Sequence, residues 1–159
     1  MLNNDILRRV RYALTLNDRE MIEIFALSEH EISRENLLNL LKKDNEEDFV
    51  ALDDPLMTLF LDGLITFKRG KLDNNAALPT PKASLTNNVI LKKLRIALEF
   101  KEEDMLNVFQ LADFKLSKGE LSAFFRQKGH KHHRDCGDQA LRNFLQGLVL
   151  HFRSPEEEE

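Results

Sequence analysis

His130, His132, His133 and Cys136 place three imidazoles and one thiol within seven residues. Groups of these types can ligate a transition metal. Alternatively, Cys136 and His133, three apart on one helical face, could serve as nucleophile and base. The spacing matches no standard zinc pattern, and a closed site needs a fourth ligand in tetrahedral geometry. No orienting residue or oxyanion donor set accompanies the Cys–His pair. No metal, no cofactor and no catalytic residue is therefore expected. His30 and His151 stand alone in the sequence.

The same segment is basic. Arg126, Lys128, Lys131 and Arg134, joined by Lys92, Lys93 and Arg95, form a candidate patch that could neutralise phosphates. Against nucleic acid stand a net charge of −4, no Trp and the single Tyr12, which leave little for base stacking. Helices opened by Asn17 and Ser33 could imitate a helix-turn-helix. The would-be recognition helix, however, is leucine-rich and poor in base-reading side chains until Lys42 and Lys43. The six glycines are scattered and form no phosphate-cradling loop, and neither a nucleophile elbow nor a His-Glu-x-x-His pair occurs.

What must position these residues is a repeat. Asn3, Asn4, Ile6, Leu7, Arg11, Ala13 and Leu14 recur as Asn87, Asn88, Ile90, Leu91, Arg95, Ala97 and Leu98, a separation of 84 positions. The offset holds without a gap through Met21/Met105, Phe25/Phe109, Ser33/Ser117, Leu37/Leu121 and Phe60/Phe144, which marks an internal duplication. At that offset His133 falls on Phe49 and Cys136 on Leu52, so both are expected to be half-buried packing residues. The basic corner falls on Asp44, Glu46, Glu47 and Asp48. Residues 1–69 carry 9 Lys/Arg against 14 Asp/Glu, whereas residues 87–153 carry 12 against 8. Opposite charge invites attraction between the repeats or between chains, or it is drift of solvated surface charge.

Each copy reads as about four helices with no sheet. Ile6, Leu7, Val10, Ala13 and Leu14 share one face at period 3.6, with Asn3 or Asn4 as a candidate cap. Asn17 with Glu20, and Ser117 with Glu120, have the form of capping boxes, and Ser33 should open a third helix. Asp54-Pro55 marks the start of a fourth, because proline in a first turn gives up an amide that had no partner. Gly63 and Gly147 interrupt this last helix in both copies, at a cost of roughly 1 kcal/mol relative to alanine, and predict a close helix crossing. Arg11 with Asp54, and Arg95 with Asp138, are candidate partly buried pairs across the bundle; alternatively each Asp caps its helix and each Arg lays its stem on the core.

The predicted organisation is a first helical repeat over 1–69, a Pro-containing linker over 70–86, a second repeat over 87–153 and a disordered acidic tail over 154–159. The two repeats are expected to pack into one pseudo-symmetric all-α body. No apolar run approaches the roughly 18 residues of a membrane span. Met1 to Asp5 lack a secretory start, and Cys136 is the only cysteine, so a cytoplasmic home is expected.

Asn4 to Tyr12, Phe60 to Ile65 with Lys68-Arg69-Gly70, Asn87 to Ala97, and Arg134 to Leu148 with its Cys136-Gly137-Asp138-Gln139 run resemble the YehS-like bacterial proteins. The resemblance spans nearly the whole chain outside the linker and tail. It implies a cytoplasmic bacterial protein built from a duplicated domain of unknown function, and it brings no catalytic residues. A non-enzymatic protein-interaction or regulatory module is expected, through self-association or another protein. Nucleic-acid binding by the basic second repeat is the alternative.

Overall fold

The computed structural model describes residues 1–70 and 85–153. Most of the predicted linker, and the predicted tail, lie outside them. The chain divides into two compact units between Leu85 and Thr86. In the first unit α1 spans Asn3–Leu14, α2 Asp18–Leu27, α3 Arg34–Leu40 and α4 Asp54–Arg69. In the second, α5 spans Asn87–Leu98, α6 Glu102–Leu111, α7 Lys118–Phe125 and α8 Asp138–Phe152. Every helix of the second unit starts 84 residues after its counterpart. The described residues contain no strand. The repeat is thus a repeat of structure.

Local chemistry sets these boundaries. Asn17 and Glu20 close the expected capping box on α2: the Asn17 side chain accepts from the Glu20 amide at 2.8 Å, and the Glu20 carboxylate accepts from the Asn17 amide at 3.0 Å. Ser117 and Glu120 do the same on α7. Ser33 caps α3 by accepting from the Asn36 amide. In α6 half of the box survives without a capping oxygen, because Asp104 accepts from the Lys101 amide. Two cap expectations are corrected. Neither Asn3 nor Asn4 caps α1, whose N-cap is Leu2 without a side-chain bond, and Thr86 caps α5. On α4 the capping carboxylate belongs to Asp53, which accepts from the Leu56 amide at 2.9 Å. Asp54 is the first helical residue and is spent elsewhere.

The helices bury one face each. Ile6, Leu7 and Val10 of α1 meet Met21, Ile24 and Phe25 of α2, Leu37 of α3, and Met57, Phe60 and Leu64 of α4 in a core that excludes water. Phe25 and Phe60 pack with ring centroids 5.3 Å apart, tilted by 52°. Phe109 and Phe144 repeat that contact at 5.2 Å and 49°. Tilted rings at this spacing add about 1 kcal/mol beyond their buried area.

α2 can approach α4 so closely because Gly63 has no side chain. A Cβ there would press on the Ile24 carbonyl, with the carbonyl carbon only 2.9 Å away; at Gly147 the Val108 carbonyl carbon would lie 2.8 Å away. The obstacle is main chain in both cases, so no rotamer change relieves it.

The proposed Arg–Asp pairs across the bundle do not form. Arg11 donates from Nε to the Leu16 carbonyl at 3.0 Å and from Nη2 to Asp18 at 2.7 Å. Arg95 donates to the Phe100 carbonyl at 3.1 Å and lays its guanidinium 4.8 Å from the centre of the Phe125 ring. Asp54 and Asp138 accept instead from Asn3 and Asn87, each at 2.8 Å. Both arginines fasten the turn after their helix, which passes through left-handed backbone at Thr15 (φ 53°) and Glu99 (φ 55°) and leaves the next carbonyl pointing inward.

Replacing Gly63 or Gly147 by alanine should cost about 2 kcal/mol through overpacking and lower the melting temperature by roughly 10 °C. Thermal unfolding followed by circular dichroism checks this, with Gly119→Ala as control, since a Cβ there meets only the Ser117 hydroxyl at 3.9 Å.

Candidate functional site

The segment between the third and fourth helix of each unit is held from below by one carboxamide. Asn4 is 1% exposed. Its Nδ2 donates to the Leu40 and Val50 carbonyls, both at 2.9 Å, while its Oδ1 accepts from the Leu52 amide at 3.0 Å. Asn88 repeats all three contacts, donating to the Phe124 and Arg134 carbonyls at 2.9 Å and accepting from the Cys136 amide at 2.9 Å. Next to it, Asn3 donates to the Leu52 carbonyl and to Asp54, as Asn87 does to the Cys136 carbonyl and to Asp138. A neighbouring side-chain pair in each copy therefore ties the end of the third helix, the returning loop and the start of the fourth helix to the first.

The loop's own main-chain bonds recur too. Val50 donates to the Asn39 carbonyl as Arg134 does to Ala123, and the turns closed at Glu46 and Phe49 match those closed at His130 and His133. The loops differ in which residue takes positive φ, Asp48 in the first unit and Gly129 in the second. They differ far more in side chains. Asp44, Glu46, Glu47 and Asp48 are all exposed in one; Arg126, Lys128, His130, Lys131, His132 and Arg134 are all exposed in the other. The same frame presents opposite charge.

The structure trims the sequence-predicted basic patch. Lys93 is only 8% exposed, and Arg95 is committed to Phe100 and Phe125, so neither offers a cation to a ligand. Lys92 is exposed on α5. The loop supplies Arg126, Lys128, Lys131 and Arg134, the last 3.5 Å from Glu120.

The histidines and the thiol are absorbed by the loop. His133 Nδ1 lies 2.9 Å from the Arg126 carbonyl and Nε2 lies 3.0 Å from Asp135 Oδ1. Carbonyl and carboxylate only accept, and only the imidazolium has a proton for each, so the pair of contacts favours the charged ring. The Arg126 carbonyl first, then Asp135, raises its pKa above the ordinary 6.5, against desolvation and the charge of Lys128. His132 donates its amide to His130 Nδ1 at 3.0 Å. Cys136 is 4% exposed, and burial, followed by the charge of Asp138, pushes its thiol to about 11. At neutral pH that sulfur is protonated, neither a nucleophile nor a thiolate ligand. Among the described residues no three His, Cys, Asp or Glu side chains are grouped to hold a metal ion. The expected half-burial holds at His133, as at Phe49, whereas Cys136 lies deeper than expected, fully buried like Leu52.

Sequence reasoning missed the asparagines. Their signal was present: Asn3-Asn4 and Asn87-Asn88 are identical, while the next residue changes from Asp5 to Val89.

The family described as protein of unknown function (DUF1456) matches residues 3–70 and again residues 87–154. Uncharacterized protein YehS of Escherichia coli (strain K12) is 44% identical over 149 residues, covering 94% of this chain and 95% of its own. No solved structure matches. No helix among the described residues is long and apolar enough to cross a membrane.

Asn88→Ala strands two carbonyls and one amide, and should destabilise the second unit by about 3 kcal/mol. Cys136 reports the loosening, since its reaction with a disulfide reagent should accelerate well beyond the wild-type rate at equal temperature. Separately, the His133 contribution to stability is complete below the ordinary imidazole pKa and is lost as pH rises through the raised folded value. Thermal melts between pH 6 and pH 8.5 should fall more steeply for wild type than for His133→Phe, which carries the residue of the first repeat.

Proposed function

The chain belongs to the DUF1456 family of proteins of unknown function, and we propose that it is a non-enzymatic interaction module whose two clamped loops are the recognition surfaces. One observation carries this reading. The same asparagine contacts hold both loops, while their exposed side chains have diverged to opposite charge. A rigid base with a variable charged rim suits recognition, because ordering the loop in advance lowers the entropy lost on binding. Charges placed this way govern which partner approaches and how fast. The protonated thiol of Cys136 and the doubly engaged ring of His133 support a binding role over a catalytic one. The single cysteine fits a reducing cytoplasm.

Nucleic acid is the second reading, favoured by the exposed Arg126, Lys128, Lys131 and Arg134 of the second loop. It would read phosphate and not base, for the loop carries no aromatic beyond its histidines.

Affinity capture with the full chain should recover a defined protein that Lys128→Ala/Lys131→Ala loses and that Gly119→Ala keeps. Reproducible capture of nothing by a wild type that also stays a single chain in solution rejects the interaction reading. Retention of the wild type on DNA, collapsing between about 50 and 200 mM salt, selects the nucleic-acid reading in its place.

A further inference from the structure

Resting on the reading of the loops as recognition surfaces, we infer that the occupant is a second copy of this chain, its acidic 44–48 loop seated on the basic 126–134 loop. The complement is internal to the sequence. Four carboxylates crowd five residues of the first loop, and four Lys/Arg cations stand within nine residues of the second. All eight side chains belong to exposed residues. Each loop is fastened by the same carboxamide contacts, so neither has to be ordered to meet the other.

The charges differ in how far their own unit satisfies them. Glu46 is spent on the Lys43 amide at 2.9 Å, and Asp48 has Lys42 at 3.9 Å. Asp44 and Glu47 project from the same loop without any such tie to it. In the second loop Arg134 leans toward Glu120 at 3.5 Å, a loose exposed pair that exchanges readily. Lys128 and Lys131 lie on the turns closed at His130 and His133. Asp44 and Glu47 facing Lys128 and Lys131 is therefore the pairing that disturbs least. In a pair of chains each loop finds its complement on the partner. Contacts between exposed charges are screened by salt, with a Debye length of about 10 Å at 0.1 M.

Sedimentation velocity of the full chain tests this, at about 100 μM protein, where a weak pair is populated. In about 20 mM salt the wild type should sediment as two chains, and in about 500 mM salt as one. Asp44→Lys/Glu47→Lys takes the first loop from −4 to 0 and sets lysines against Lys128 and Lys131, and Lys128→Glu/Lys131→Glu takes the second from +4 to 0 and sets glutamates against Asp44 and Glu47. Each variant alone should remain a single chain with an unchanged circular dichroism melt, and an equimolar mixture should restore the pair. The first variant is near neutral overall, so bulk attraction does not account for restoration. A wild type that stays a single chain in low salt overturns the inference, as does association indifferent to salt or a mixture that fails to pair. Should self-association fail while Lys128→Ala/Lys131→Ala still abolishes capture of another protein, only the identity of the occupant is wrong.

Discussion

A carboxamide inside a protein has to find partners for two donors and an acceptor at once, and Asn4 and Asn88 meet that demand in the same way. Each joins a carbonyl at the end of a short helix, a carbonyl of the loop leaving it and an amide at the loop's end. Those main-chain groups have no helical partners of their own. Supplying them from the first helix lets a loop between two helices rest on the core without stranding polar atoms. The third helix of each unit, 7 residues in the first and 8 in the second, is too short to hold its place by local bonding alone. The clamp ties its end into the unit.

Around that constraint the two copies divide their freedom. Where the main chain is the neighbour, nothing has changed: Gly63 and Gly147 both face a carbonyl, and Arg11 and Arg95 both serve the carbonyl after a left-handed turn. Where water is the neighbour, nearly everything has. Phe49 has become His133 and the exposed loop before it has exchanged carboxylates for cations, while beneath the surface Leu52 has become Cys136 at matching depth. His133 gives the second loop a proton-dependent latch that Phe49 cannot give the first. The aromatic stem fills the same place, while the ring nitrogens reach Arg126 and Asp135.

The helices were legible because their signals are local. An Asn17–Glu20 or Ser117–Glu120 box needs only four residues, and a stripe at period 3.6 needs only one face. The glycines were legible because a helical glycine kept in both copies demands a close crossing. The arginines misled because charge complementarity in sequence named Asp54 and Asp138, while a carbonyl five residues away was nearer. Lys93 misled too: its charge placed it in a patch, yet it is buried where its counterpart Arg9 is exposed.

The order of residues by itself determined that this protein is two copies of one helical unit, which segments are helical, and that equivalent corners differ in charge, since all three are properties of spacing and composition. Only the tertiary structure decided which polar groups meet: Asn4 with Leu40, Val50 and Leu52, Asn87 with Asp138, and His133 with Arg126 and Asp135. Most of these partners lie 36 to 51 residues apart. A hydrogen bond is set by direction and by distances near 3 Å, which no pattern of residue types encodes until the helices have packed.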